Sequence, residues 1–333
     1  MQDRTSYRLT RRRPWRRWLG LAILGLVLLV ACDYYGYPRW ARPGGRSFNR
    51  GSNGLYLRYT WYFGRRTDAE VRRLARRLRE EQIRYAYFHT RSITAKGTLE
   101  FRYPDAARRL TAALHETAPS VKSIAWVSVA NERGVGEVVN LSAEPVRRIM
   151  IKEAGWLVNE CGFDGVQWDY EVCADGDEGF LQLLRQTRAA LPKDKLLSVA
   201  APVLSSRFYP WGWSEDYFAR VARTCDQLTV MCYDTGIRVP RGYVSLVRSQ
   251  ARRATRGVAR SGAGSHVLLG VPTYHAGGRS HSPHAENLLL ALKGVREGLS
   301  DTRADRSAFE GVALLADWTT ERNEWHLYRR LWF

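Results

Sequence analysis

The 333-residue chain has little cysteine: five residues (Cys32, Cys161, Cys173, Cys225 and Cys232), none at the C-x-x-C spacing of a zinc or redox site. Setting Cys32 aside leaves four scattered thiols. They are open to pairing in an oxidising compartment or to burial as free thiols, and their spacing does not choose. No glycine-rich fingerprint follows a strand-like segment, so no nucleotide cofactor is expected. His275, His281 and His284 stand close together, but in a Gly/Ser-rich loop without a carboxylate or cysteine at ligand spacing, so no metal is expected either. Acidic residues are outnumbered, 33 to 52, which leaves a formal net charge of +19. That balance alone suggests nucleic acid or an anionic surface. No zinc-finger, aromatic RNA-binding or phosphate-loop pattern accompanies it, so a specific nucleic-acid partner is not expected. A general attraction to acidic polymers or phospholipid stays open.

Long apolar runs are also scarce. The exception follows the basic stretch Arg11 to Arg17 and extends from Trp18 to Ala31. It is short for a membrane span and suits the core of a signal peptide. Leu29-Val30-Ala31-Cys32 resembles a bacterial lipobox, in which Cys32 is lipidated and becomes the mature N-terminus. An uncleaved signal anchor is the other reading. Both predict an exported domain held at the membrane of the cell envelope. Residues 33–50, rich in Gly, Pro, Arg and Tyr, suggest a tether. The expected layout is a signal or anchor over 1–31, a tether over 32–50, and one domain over 51–333.

Within that domain strand-like and helix-like segments alternate. The strand-like ones are Leu55–Phe63, Ile83–His89, Val121–Val129, Phe163–Glu171, Leu196–Pro202, Gln227–Asp234, His266–Pro272 and Gly311–Asp317. Thr67 and Glu70 form a capping box, and Pro145 suits the first turn of a helix opening near Ser142. Eight β/α repeats predict a single-domain parallel (β/α)8 barrel, with an open doubly wound sheet as the runner-up. Only a short stretch separates the seventh strand from its helix, so no large insertion is expected there. In such a barrel functional groups gather at the C-terminal strand ends, where Glu171, Asp234 and Trp318 fall.

The most informative segment is Asp164-Gly165-Val166-Gln167-Trp168-Asp169-Tyr170-Glu171. As a strand it puts Gln167, Asp169 and Glu171 on one face and Val166, Trp168 and Tyr170 on the other. Two carboxylates and an amide on a buried face are costly unless they serve a site. Like charges that close raise one another's pKa, which lets one carboxyl act as a general acid. The plentiful aromatics, 12 Trp and 17 Tyr, suit stacking on sugar faces, although most are expected in the core.

Phe163 to Glu171 resembles the catalytic signature of glycoside hydrolase family 18, the chitinase-like enzymes. Ser198-Val199-Ala200-Ala201-Pro202, Met231-Cys232-Tyr233-Asp234 and Gly270-Val271-Pro272-Thr273-Tyr274 resemble supporting motifs of that family, in its order, over roughly residues 55–320. The resemblance implies substrate-assisted retaining hydrolysis of β-linked N-acetylhexosamine glycans, in which the sugar's own acetamido oxygen attacks the anomeric carbon. It implies that Glu171 is the acid and then the base. Asp169 orients the acetamido N–H, Tyr233 points its hydroxyl at the acetamido carbonyl, and Asp234 binds the same sugar. Met231, Tyr274 and Gln167 line the substrate site, Trp318 and Trp61 are candidate sugar platforms, and Asp164 is structural. A monomer is expected.

The chain departs from the family where Gln167 replaces an Asp. An amide can hydrogen-bond Asp169 but not share its proton, which weakens tuning of the pair. Ser128-Val129-Ala130-Asn131 departs from Ser-x-Gly-Gly, and Trp318 comes later than the family's Trp platform. Retention of Glu171 favours an enzyme over a glycan-binding lipoprotein on the same barrel. A sister glycosidase for another sugar is the remaining alternative.

Overall fold

The computed structural model describes residues 15–131, 136–171, 173–207, 209–210 and 212–333; for residues 15–17 and 171 it describes the backbone alone. The chain divides into two compact units, Met1–Ala41 and Arg42–Phe333. In the first, α1 (Trp15–Trp40) is one continuous helix, and its stretch Trp18–Trp40 is long and apolar enough to cross a membrane. The helix therefore extends past the Trp18–Ala31 apolar run. Cys32 sits exposed within the helix, and residues 33–40, expected in an irregular tether, are helical. Arg11 to Arg13 of the basic stretch lie outside the described residues.

The second unit is a closed barrel of eight parallel strands in chain order. The strands are β1 (Asn53–Leu57), β2 (Ile83–Ser92), β3 (Lys122–Ala130), β4 (Gly165–Glu171), β5 (Leu196–Ala201), β6 (Gln227–Met231), β7 (His266–Pro272) and β8 (Phe309–Leu315). The helices are α2 (Asp68–Glu80), α3 (Pro104–Thr117), α4 (Glu144–Asn159), α5 (Glu178–Ala190), α6 (Glu215–Ala222), α7 (Pro240–Ser261), α8 (Leu288–Ser300) and α9 (Arg322–Trp332). The expected (β/α)8 architecture is the one observed. Residues 273–287 join β7 to α8 without an inserted domain.

Local chemistry starts these helices where the sequence indicates. Thr67 and Glu70 form both bonds of the capping box on α2. Asp177, Ser214 and Asn287 cap α5, α6 and α8 through their side chains. Pro104, Pro145 and Pro240 occupy first turns, where a missing N–H costs nothing. Helix α2 buries Val71, Leu74, Ala75 and Leu78 on one stripe and turns its arginines outward. Each such large side chain stabilises the packing by roughly 1.5–3 kcal/mol.

Three strands stop two or more residues short of the sequence reading. β1 stops at Leu57 because residues 58–64 curl into turns, with Trp61 N–H donating to the Arg58 carbonyl and Phe63 N–H to that of Tyr59. β6 stops at Met231, so Tyr233 and Asp234 lie beyond it. β8 stops at Leu315, leaving Asp317 and Trp318 in the following loop. In each case the apolar pattern runs past the last ladder bond.

The alternation on β4 is observed as expected through Tyr170. Trp168 and Tyr170 face α5: Trp168 Nε1 donates to Thr187 Oγ1 (3.3 Å), and Tyr170 packs on Phe180 with ring centroids 5.3 Å apart. Gln167 and Asp169 point into the barrel, whose interior holds Tyr56, Tyr85, Tyr87, Ile124, Leu268 and Ala313. Gly165 is required by contact, since a Cβ there would stand 2.2 Å from the carbonyl oxygen of Leu196. Just before it, Asp164 ties the start of β4 to β3. Its Oδ2 accepts from His115 Nε2 (2.8 Å), Ser123 N–H (2.8 Å) and Ser123 Oγ (3.0 Å).

Burial opposes ionisation of Asp164, but the bonds from His115 and Ser123 outweigh it and hold the carboxyl down at about 2. A depressed carboxyl contributes stability above its unfolded value near 4 and loses it as pH falls toward 2. Asp164→Asn is expected to lower unfolding free energy at pH 7 by about 2 kcal/mol. Urea unfolding at pH 7 and pH 2.5 checks this: the gap between variant and wild type should narrow at the lower pH.

Candidate active site

At the C-terminal end of the barrel, β3 and β4 pair with Trp126 opposite Gln167, Ser128 opposite Asp169 and Ala130 opposite Glu171. Asp169 is 4% exposed, and its Oδ2 accepts a 2.7 Å hydrogen bond from Trp126 Nε1. The Trp126 ring stacks on His89 of β2 (centroids 4.2 Å apart) and meets the edge of Tyr56 of β1 at 4.9 Å. His89 Nε2 lies 3.1 Å from Ser128 Oγ. A cavity of about 500 Å³ opens above these groups, lined by His89, Arg91, Ser128, Ala130, Glu137 and Asp169, among others. Glu171 closes β4 at this rim; its side chain lies outside the described residues.

Below Asp169 a hydrogen-bonded column fills the barrel. Gln167 is fully buried, and its Nε2 donates to Ser198 Oγ (3.0 Å) and Thr229 Oγ1 (3.4 Å). Ser198 Oγ donates to Gln227 Oε1 (3.0 Å), which also accepts from Tyr87 Oη (2.6 Å). Gln227 Nε2 reaches Glu310 (3.2 Å), which accepts from Tyr85 as well. The sequence allowed Gln167 to hydrogen-bond Asp169; its amide N–H group is committed downward to β5 and β6. Gln167 Oε1 has no hydrogen-bond partner among the described residues.

The opposite side of the mouth is built after β6 and β7. Tyr233 is half-buried against Gly270, where a Cβ would come within 2.7 Å of its ring. That close approach explains the glycine. Met231 ends β6 and is half-buried. Asp234 has a left-handed backbone (φ 52°) and a side chain about half exposed. Tyr274 is half-buried, and burial and then the charge of Asp234 raise its pKa. Its ring lies 4.2 Å from that of His281. His281 Nδ1 is 3.3 Å from the fully buried Glu286, a carboxylate within reach that the sequence spacing did not suggest. His275 instead meets Glu324 (2.6 Å).

The two candidate platforms differ in setting. Trp318 is 43% exposed. Trp61 donates through Nε1 to Asp317 (2.8 Å), and the Arg66 guanidinium sits over its ring at 5.2 Å, so one face is already covered. The groups missed by sequence reading are Trp126 and His89, and Ser128 was noted only as part of a motif. Their signal was present: Trp126 and Ser128 share a face of β3, two residues apart.

Burial, and then the nearby charge of Arg91, lower the His89 pKa to about 4. The imidazole is therefore neutral at pH 7 and keeps its place between Trp126 and Ser128. A depressed histidine makes the fold lose stability as pH falls from about 6.5 to about 4, by up to about 3 kcal/mol, because the unfolded chain takes up the proton first. His89→Gln should flatten that part of the pH dependence, measured as denaturation midpoints between pH 7 and pH 4.5.

The barrel is similar to several solved structures. The spore cortex-lytic enzyme SleL of Bacillus cereus aligns with a TM-score of 0.58 at 13% identity, covering 87% of this chain and 76% of that one. A class V chitinase from Pseudomonas fluorescens Pf-5 aligns with a TM-score of 0.58 at 14% identity, covering 84% and 98%. A chitinase from Chromobacterium violaceum aligns with a TM-score of 0.53 at 15% identity, covering 83% and 98%. At these identities the likeness is one of fold. Among curated proteins none matches the chain. The sequence profile of glycosyl hydrolases family 18, however, matches residues 59–326, which takes in β2 to β8, α2 to α8 and the start of α9, and the chain belongs to that family.

Proposed function

We propose that this chain is an exported, membrane-tethered glycosidase that cleaves β-linked N-acetylhexosamine glycans by substrate-assisted catalysis with retention. The observation that carries the reading is the Asp169 carboxylate, held by Trp126 Nε1 against a cavity at the barrel mouth, two residues before Glu171. Glu171 protonates the glycosidic oxygen as the bond to the anomeric carbon breaks. The sugar's acetamido oxygen closes on that carbon from the opposite face, and an oxazolinium-like ring forms. Asp169 accepts the acetamido N–H, which orients the amide and stabilises the positive charge that develops on it. The hydroxyl of Tyr233 donates to the acetamido oxygen, and Asp234 binds hydroxyls of the same sugar. Glu171, now a carboxylate, takes a proton from the incoming water, and the ring opens with the original configuration restored.

Gln167 shapes this chemistry by what it withholds. Its N–H group is bound to Ser198 and Thr229, so Asp169 is oriented from the side by Trp126 instead of from below by a second carboxyl. The short β7–α8 connection supports an open groove suited to internal cleavage or short glycans. The helix over Trp18–Trp40 supports export with retention at a membrane, through either lipidation of Cys32 or an uncleaved anchor.

A panel of acetamido-glycans, including chitin oligomers, peptidoglycan and N-glycan cores, tests the substrate class. Glu171→Gln should lower kcat by at least roughly 100-fold with little change in glycan affinity. Near-wild-type turnover in that variant would remove Glu171 from the acid role. Asp169→Asn should also lower kcat, and the loss should persist on substrates whose leaving group needs no protonation, because its role is on the acetamido group. Mass spectrometry of the mature N-terminus decides the anchor: a diacylglyceryl group on Cys32 marks lipidation, and an intact Met1 marks the uncleaved helix.

A further inference from the structure

Beyond the β6 and β7 ends, five side chains form a closed set that the reaction above does not use in full. Glu286, just before α8, is fully buried. Its Oε1 accepts from Thr235 Oγ1 (2.7 Å), and its Oε2 from Thr235 N–H (3.2 Å). Oε2 also faces His281 Nδ1 at 3.3 Å. His281 is 3% exposed, and its Nδ1 stands 4.0 Å from Asp234 Oδ1 while its ring lies on Tyr274. Gly236 N–H donates to the Ser280 carbonyl (2.6 Å), which sews the same two loops together along the backbone.

A buried carboxylate is expensive unless it is fully engaged. Here its partners are the backbone and hydroxyl of the residue directly after Asp234. Asp234 itself holds φ at 52°, a left-handed conformation that a non-glycine residue keeps only when its surroundings enforce it. The enforcement is visible: Thr235 is pinned at two atoms, and Gly236 is bonded to the facing loop. Geometry thus connects a buried pair of ionisable side chains to the orientation of a half-exposed carboxylate at the mouth.

We propose that Glu286 and His281 form a positioning clamp, acting through Thr235 and Tyr274, that fixes the Asp234 carboxylate toward the bound sugar and locks the β6 and β7 loops to each other. The clamp rests on the reading of Asp234 as a sugar-binding group. Because Asp234 contacts the sugar in both the ground state and the transition state, loosening the clamp should weaken binding more than it slows chemistry.

The test compares Thr235→Val, which keeps the shape and removes the hydroxyl bond to Glu286, with Thr235→Ser, which restores it. On a chito-oligosaccharide, Thr235→Val should raise KM about fivefold, the worth of one ordinary hydrogen bond, with kcat within about twofold. Thr235→Ser should return KM to the wild-type value. Hydrogen exchange is read in parallel: the Gly236 amide should exchange faster in Thr235→Val, while β4 amides keep their protection. An unchanged KM, or an equal loss in kcat from general destabilisation, overturns the clamp. If wild type binds none of the glycans, the proposed function fails, and exchange at Gly236 decides the loop lock alone. Faster exchange then supports the lock, and unchanged exchange overturns it.

Discussion

The mouth of this barrel depends on the parallel register between β3 and β4. Setting Ser128 opposite Asp169 places Trp126 one step lower on the same inner face, close enough for its indole N–H to meet the carboxylate. A shift of one residue would turn Asp169 and Gln167 outward under the helices and bring Trp168 and Tyr170 inside. The exchange would be costly, because the buried face of α5 is largely apolar, with Phe180, Leu181, Leu183 and Leu184, and the inner face already holds the rings of Tyr56, Tyr85, Tyr87 and Trp126. Asp164 and Gly165 secure the register at the start of the strand, the first by bonds to Ser123 and the second by its close approach to Leu196.

The interior of the barrel is unusually polar beneath the site, and the polarity is organised. Gln167, Ser198, Thr229, Gln227, Tyr87, Glu310 and Tyr85 form a continuous set of hydrogen bonds across five strands. Burying these groups is tolerable because nearly every donor reaches an acceptor. The column fixes Gln167 and thereby removes it as a partner for Asp169. Trp126, braced by His89 and Tyr56, takes over the orientation of that carboxylate from the side. Burial keeps His89 neutral, so no second positive charge stands in the cavity beside Arg91.

Two halves of the mouth are held by different means. On the β2–β4 side the aromatic stack of His89, Trp126 and Tyr56 positions the acidic group. On the β6–β7 side the buried Glu286 and His281 do so through loop backbone. Strands fix side-chain direction by their pleat, whereas loops need added bonds to reach the same precision, and that need accounts for the buried Glu286–His281 contact next to a left-handed Asp234.

Much of this was legible in the order of residues. The two-residue alternation of β4 gave the inner and outer faces, and the capping box at Thr67 and Glu70 and Pro145 marked where two helices begin. The repeat of strand and helix, eight times over, indicated the barrel, and the motif Met231 to Asp234 indicated residues near its mouth. What the order of residues left open was every contact across the ladder. The bond between Trp126 and Asp169 joins positions 43 residues apart, the commitment of Gln167 to Ser198 and Thr229 depends on barrel closure, and the engagement of Glu286 by His281 and Thr235 depends on two loops meeting. Periodicity is a local consequence of backbone geometry and can be read one segment at a time; the neighbour facing a given side chain is set by register and closure, which exist only once all eight strands have come together.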